Sequence, residues 1–236
     1  MSSLKENLMQ PISAIITGAT GMVGKGVLLE CLQNPAVTDV LVLNRRPLGM
    51  QHPKLKEIVH SDFYDLSAVE AGLRGYSACY FCLGTSAFRM KEEDYRRVTY
   101  DLTLHAANTL LRLNPGMTFC YVSGQGTDGT GQGRTMWARV KGQTENALLA
   151  LPFGGAYMFR PGFIQPLDGI KSSTPLYNTI YKVVNPLFPL LKAAFPSGVT
   201  TTRAVGKAMI AAVRNGSPKR VLETADINRL AEGVTG

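Results

Sequence analysis

A β-branched, apolar run, Ile12-Ser-Ala-Ile-Ile-Thr17, passes directly into Gly18-Ala-Thr-Gly-Met-Val-Gly24. From there it enters a segment with Val23, Val27 and Cys31 beside Leu28 and Leu32 at helical spacing. Strand, glycine turn and helix in that order leave few folds open. Such a run is the kind buried on both faces in a parallel sheet. Glycine is required where a turn needs φ > 0, where bare backbone must approach a pyrophosphate, and where a helix packs tightly on a strand. Gly18, Gly21 and Gly24 can fill these three roles. The helix then presents unpaired N–H groups and the positive end of its dipole to phosphates. A dinucleotide cradle built from Gly18, Thr20, Gly21, Met22 and Val23 is expected.

The rest of the chain repeats the alternation. Further strands are expected over residues 39–43, up to Val59, over 79–83, 119–122 and 157–160, and near 220–222. Helices are expected over about 92–113, 136–151 and 204–214, the last stopped by Gly216. Strands alternating with helices imply right-handed crossovers and an α/β fold, a doubly wound parallel sheet with helices on both faces. With 45% hydrophobic and 18% charged residues, the 236-residue chain can fill a sizeable core, which excludes disordered and fibrous classes. No Pro/Gly/Ser-rich linker divides it, so residues 1–236 read as one domain with a loose arm over 1–11 and a small C-terminal cap at about 165–200. The apolar stretch 176–195 is interrupted by Pro186 and Pro189 and charged by Lys182 and Lys192, so it is not expected to span a membrane.

Lys and Arg number 25 against 17 Asp and Glu, a net charge of +8. The basic residues form only pairs (Arg45-Arg46, Arg96-Arg97, Lys219-Arg220), and without a run of five or more no nucleic-acid footprint is expected. Cys79-Tyr-Phe-Cys82 is formally a C-x-x-C. Within a strand, residues three apart point to opposite faces, so with Cys31 and Cys120 these thiols are expected in the core and no metal site is assigned. Nothing at the N-terminus resembles a basic segment followed by an apolar signal core, and a reduced, cytoplasmic location is expected.

The residue about twenty beyond the last glycine decides between the two nicotinamide cofactors, an acid bonding the ribose 2′-OH and arginine accommodating a 2′-phosphate. The count from Gly24 reaches Asn44, followed by Arg45 and Arg46, with no carboxylate to repel a phosphate and two guanidiniums to clamp it. NADP is the expected cofactor.

Taken together, Thr17-Gly-Ala-Thr-Gly-Met-Val-Gly24, Asn44-Arg-Arg46, Asp62-Phe63, Cys82-Leu-Gly-Thr85 and Val140-Lys-Gly142 resemble the atypical, extended-type short-chain dehydrogenase/reductases. The likeness is to their Rossmann-fold branch related to the Tat-interacting-protein oxidoreductases, and it covers nearly the whole chain. The resemblance implies that Asp62 receives the adenine amino group with the Phe63 backbone beside it. A plain surface acid is the other reading of Asp62. It also implies that Leu83, Gly84 and Thr85 meet the adenosine ribose and shape the floor of the site. The segment Arg160-Pro161-Gly162-Phe163-Ile164 would touch the nicotinamide carboxamide through the backbone of Pro161 and Gly162.

The family's catalytic pair is Tyr-x-x-x-Lys on the helix after the fifth strand, with a hydroxyl residue at that strand's end; residues four apart share a helical face. Lys141 matches, but Trp137 stands in the tyrosine's place, and the serine usually second in a Ser-Ser pair is replaced by Gly124 after Ser123. An indole N–H donates but does not titrate usefully. Ser123, Trp137 and Lys141 are therefore the candidate catalytic residues, with core filling equally open to Trp137, and the resemblance implies that Lys141 also binds the cofactor through the nicotinamide ribose. Two readings follow: an NADP-dependent oxidoreductase with an altered proton donor, acting on a small carbonyl or hydroxyl substrate, and a regulatory module that binds NADPH without turnover. Phe163, Tyr177, Tyr181, Phe188 and Phe195 suggest an apolar ceiling suited to a small-molecule substrate or a partner peptide. Monomer and dimer both stay open.

Overall fold

The computed structural model describes residues 11–170, 188, 195 and 197–233. The strands β1 (Ile12–Thr17), β2 (Val37–Asn44), β3 (Leu55–Val59), β4 (Ala78–Phe81), β5 (Thr118–Val122), β6 (Gly155–Arg160) and, near the C-terminus, β9 (Val221–Glu223) form one sheet. All its pairings are parallel, in the order β3-β2-β1-β4-β5-β6-β9. The order reverses between β1 and β4, and a doubly wound sheet binds its ligand in the crevice at that switch point. Helix α1 (Met22–Gln33) follows β1. After β4 comes α2, made of Glu92–Arg96, a π-helical turn Arg97–Asp101, and Leu102–Leu113. Helix α3 (Met136–Ala150) follows β5.

The period-two alternation of β1 shows how the strands divide the core. Ala14 and Ile16 face one apolar cluster with Val27, Leu28 and Cys31, whereas Ile15 faces the other with Ala107, Leu110 and Leu148. Helix α4 (Thr202–Asn215) joins the first of these layers. It approaches α1 closely through two glycines: a Cβ on Gly26 would come within 2.7 Å of Thr202 Cβ, and one on Gly206 within 2.7 Å of Glu30 Cγ. Cys79 and Cys82 pack on opposite sides of the sheet, as their spacing requires, and all four cysteines are free.

The expected strands and helices are present, with boundaries shifted by a few residues. Helix α2 is not the regular helix expected over 92–113. The Arg97 carbonyl accepts the N–H of Leu102 and also the Tyr64 hydroxyl at 2.7 Å, so a donor from the preceding loop is drawn into the ladder at the widened turn. Four elements had no counterpart in the sequence reading. They are a 3₁₀ turn over Ser67–Leu73, the two-stranded parallel sheet of β7 (Phe163–Gln165) and β8 (Val199–Thr201), and α5 (Thr224–Glu232). Most of the expected cap at 165–200, with Tyr177 and Tyr181, lies outside the described residues, as does most of the arm 1–11. Among the described residues no helix is long and apolar enough to cross a membrane.

Candidate functional site

The crevice begins at the glycine turn. Gly18 has φ +71°, and a Cβ there would lie 2.6 Å from the Cys82 carbonyl oxygen. Gly21 N–H closes the turn onto Gly18 O at 2.9 Å. A Cβ on Gly24 would run into Gly18 O, so helix and turn meet there without room for a side chain. Gly21 is different, since its Cβ would meet only Gly18 O at 3.3 Å. The first turn of α1 has no side-chain cap and no acidic residue. Its orphan N–H groups are left for an external acceptor. This division sets up a prediction. Gly24→Ala should destabilise the fold, read as a lowered melting temperature, whereas Gly21→Val should melt like the parent yet lose dinucleotide binding in a fluorescence titration, because the branched side chain blocks the phosphates. Normal binding by a folded Gly21→Val protein would show the cradle to be elsewhere.

Beside this turn lies a cavity of 300 Å³, and it brings together residues from three separate loops: Arg45 after β2, Asp62 and Phe63 after β3, and Leu83, Gly84 and Thr85 after β4. Met90, Val98 and Leu102 supply an apolar wall, the last two from the region of the π turn. Phe63 is 3% exposed, so what it offers a ligand is backbone. Asp62 Oδ1 accepts the Tyr64 N–H at 2.8 Å, which leaves carboxylate lone pairs for another donor. Arg46 is exposed and does not line the cavity.

Two buried polar atoms at the ends of neighbouring strands have no hydrogen-bond partner among the described residues: Thr17 Oγ1, ending β1, and Asn44 Nδ2, ending β2. Buried polar groups are nearly always satisfied. Together with the cradle that side chains would fill and the guanidinium of Arg45, they fit a polar, anionic dinucleotide across the switch point.

Ser123, Trp137 and Lys141 come from the end of β5 and the first turns of α3. The Lys141 ammonium donates to the Ser123 carbonyl oxygen. Burial lowers the Lys141 pKa from 10.5 to about 8, against the opposing pull of Glu145 one helical turn later. Trp137 is half-buried, and a Cβ on Gly126 would come within 3.4 Å of its Cη2, so the ring lies along the glycine-rich loop after β5. The Ser123 hydroxyl is committed elsewhere, 2.5 Å from Glu145 Oε1 and 3.1 Å from the Phe159 carbonyl oxygen.

Sequence reasoning missed this carboxylate. Glu145 is 1% exposed, takes the Arg160 Nε at 3.0 Å and also pairs with Arg160 Nη2, while Arg160 Nη1 reaches Glu223 at 3.1 Å. The signal was present as Lys141-x-x-x-Glu145, four apart on one helical face. Pro161 and Gly162 are held tightly: Gln125 N–H donates to Pro161 O at 2.9 Å, and Gly162 N–H to Thr224 Oγ1 at 2.8 Å.

Protein HTATIP2 of Rattus norvegicus is 28% identical over 158 residues, 66% of this chain and 64% of the relative, so the match spans slightly under two thirds of that protein. Protein fmp52-2, mitochondrial, of Aspergillus oryzae is 27% identical over 226 residues, 92% of this chain and 96% of its own. These relatives agree with the Tat-interacting-protein branch read from the motifs. A short chain dehydrogenase family protein from Francisella tularensis superposes with a TM-score of 0.64 at 15% identity, covering 90% of this chain and 96% of that one. The Bordetella bronchiseptica enzyme WbmF in complex with NAD+ superposes at 0.62 with 15% identity, covering 95% and 78%. The expected cytoplasmic location is corrected by the fungal relatives from Aspergillus oryzae, Scheffersomyces stipitis and Candida albicans, whose names call them mitochondrial. Free buried thiols suit any reducing compartment and never singled out the cytoplasm. A sequence profile of the NAD dependent epimerase/dehydratase family matches residues 14–140, more than half of the chain, and the chain belongs to that family, whose cofactor is a nicotinamide dinucleotide.

Proposed function

We propose that the chain is an NADP(H)-binding oxidoreductase of the short-chain dehydrogenase/reductase type, acting on a small apolar carbonyl or hydroxyl compound. The observation that carries the cofactor choice is the end of β2. Asn44, with its unpartnered amide, occupies the place where an acid would bond a ribose 2′-OH, and Arg45 turns into the adjoining cavity. Arg46 adds a second exposed guanidinium to the same loop. When bound, the reduced nicotinamide supplies hydride. The chain's own part is to hold the pyrophosphate on α1, keep the Lys141 ammonium beside the Ser123 carbonyl, and present an apolar surface near the tilted pair Phe163 and Phe188, whose ring centroids are 6.4 Å apart.

A second reading, a cofactor-binding regulatory module, draws support from two features of the same site. The indole of Trp137 occupies the donor position, and the Ser123 hydroxyl is turned to Glu145.

Calorimetric or fluorescence titration tests the cofactor assignment. NADPH should bind at least about tenfold tighter than NADH, since one charge-assisted hydrogen bond contributes about 1.5–3 kcal/mol. Arg45→Ala combined with Arg46→Ala should remove most of the gap. Equal affinities in the parent protein would overturn the NADP assignment. Tight NADPH binding with no reduction across a panel of aldehydes and ketones would select the second reading.

A further inference from the structure

Lys25 immediately follows the third glycine and sits in the opening turn of α1. That is the unfavourable end of a helix for a cation, because the dipole is positive there. The usual compensation is missing, since α1 has no acidic residue in its first turn and Lys25 forms no ion pair with a described residue. Its ammonium lies 3.3 Å from the Met50 thioether sulfur, a weak acceptor. Met50 belongs to the loop after β2 that also carries Arg45 and Arg46.

A second cavity, of 360 Å³, explains what half-buried Lys25, which has no counter-ion among the described residues, can do here. Its walls include Thr20 from the glycine turn, Lys25 from α1, Leu48 from the loop after β2, and Asp168. Leu48 is two residues beyond Arg46, so the cavity opens between the segment that cradles the pyrophosphate and the segment that carries the two arginines. The negative charge of Asp168 is already taken, by Arg203 at 2.7 Å.

We infer that Lys25 is a third cation for the cofactor's 2′-phosphate, reaching across this cavity to complete the clamp begun by Arg45 and Arg46. The inference rests on the NADP reading. A phosphate monoester carries close to two negative charges near neutral pH and accepts several charge-assisted hydrogen bonds, with lysine acting as a point charge. The unphosphorylated cofactor has only a neutral hydroxyl at that position, so Lys25 discriminates between the two instead of strengthening both.

Lys25→Met keeps the stem and removes the charge. Its binding to NADPH, NADH, 2′,5′-ADP and ADP can be titrated beside the parent, with thermal melts of each. NADPH and 2′,5′-ADP should weaken by about tenfold or more, the loss expected of one charge-assisted contact. NADH and ADP should be unchanged, and Lys25→Arg should restore most of the loss. The melting temperature of Lys25→Met should hold or rise, because a cation leaves the helix N-terminus; if that variant does not fold, Lys25→Gln carries the same comparison. A parent without preference for NADPH would defeat the NADP reading, and this inference with it. A parent that prefers NADPH, joined to a Lys25→Met protein that loses all four ligands equally or none of them, would defeat the inference alone.

Discussion

Glu145→Ala should lower the unfolding free energy by about 3–5 kcal/mol, the cost of stripping one partner from a buried ion pair. Glu145 is 1% exposed and the Arg160 side chain only 14%. Without the carboxylate, Arg160 keeps only Glu223 among the described residues, a side chain half in solvent, and the Ser123 hydroxyl loses its nearest acceptor. The loss reflects the stranded guanidinium more than the intrinsic worth of the pair. Glu145→Gln, which still accepts hydrogen bonds, should therefore cost markedly less than Glu145→Ala. Urea or thermal unfolding measures both, with a domain of this size losing about 2–4 °C in Tm per kcal/mol. A loss under about 1 kcal/mol in Glu145→Ala would mean that water or Glu223 satisfies Arg160 unaided.

The same cluster shows where the sequence is legible and where it is not. The glycine turn could be read because its requirements are local: Gly18 at φ +71° and the Gly24 contact follow from one segment. The doubly wound parallel sheet follows from strand–helix alternation and crossover handedness. The cavity beside the glycine turn needs residues from three loops, yet its parts are legible because each falls just after a strand end, where a doubly wound sheet gathers them. The Glu145–Arg160 pair joins a helix to a strand end fifteen residues later, and neither residue's own surroundings announce the other. The π turn in α2 is hidden for a related reason, since the Tyr64 hydroxyl that enters the ladder comes from another loop.

The misread elements near the C-terminus have a different cause. β8 is a three-residue strand, Val199–Thr201, with too few positions to establish a period. α5 is amphipathic, with Ile227 and Ala231 on its buried face, but at nine residues it gives that pattern little more than two turns in which to show. Its start was nonetheless written in the chain. Glu223 and Asp226 form a reciprocal capping box, the carboxylate-based relative of the Ser-x-x-Glu signature. Ser123 is the instructive case for function: a strand-end hydroxyl matches a family pattern by position, but a buried carboxylate one layer below decides where it points.

Trp137→Tyr should raise the single-turnover reduction of simple carbonyls by NADPH by about 10²–10⁴-fold, the usual contribution of general acid catalysis. The argument joins position to chemistry. Residue 137 is four before Lys141 on α3, hence on the same helical face, and a phenol there could pass a proton that an indole cannot. Space is available, because the larger indole already fits against the backbone at Gly126. The gain depends on the Lys141 charge, which favours the phenolate left after proton transfer. With burial holding the Lys141 pKa at about 8, below its ordinary 10.5, the ammonium is present at neutral pH and lost as pH rises through about 8. The enhanced rate should fall over that same interval, and Lys141→Met in the Trp137→Tyr background should remove it. A parent protein that already turns over such carbonyls at ordinary enzyme rates would show that the indole is no lesion and that another proton route operates. A Trp137→Tyr protein that binds NADPH normally and gains nothing would place the limit at Ser123, whose hydroxyl stays with Glu145, and would favour the regulatory reading of the site.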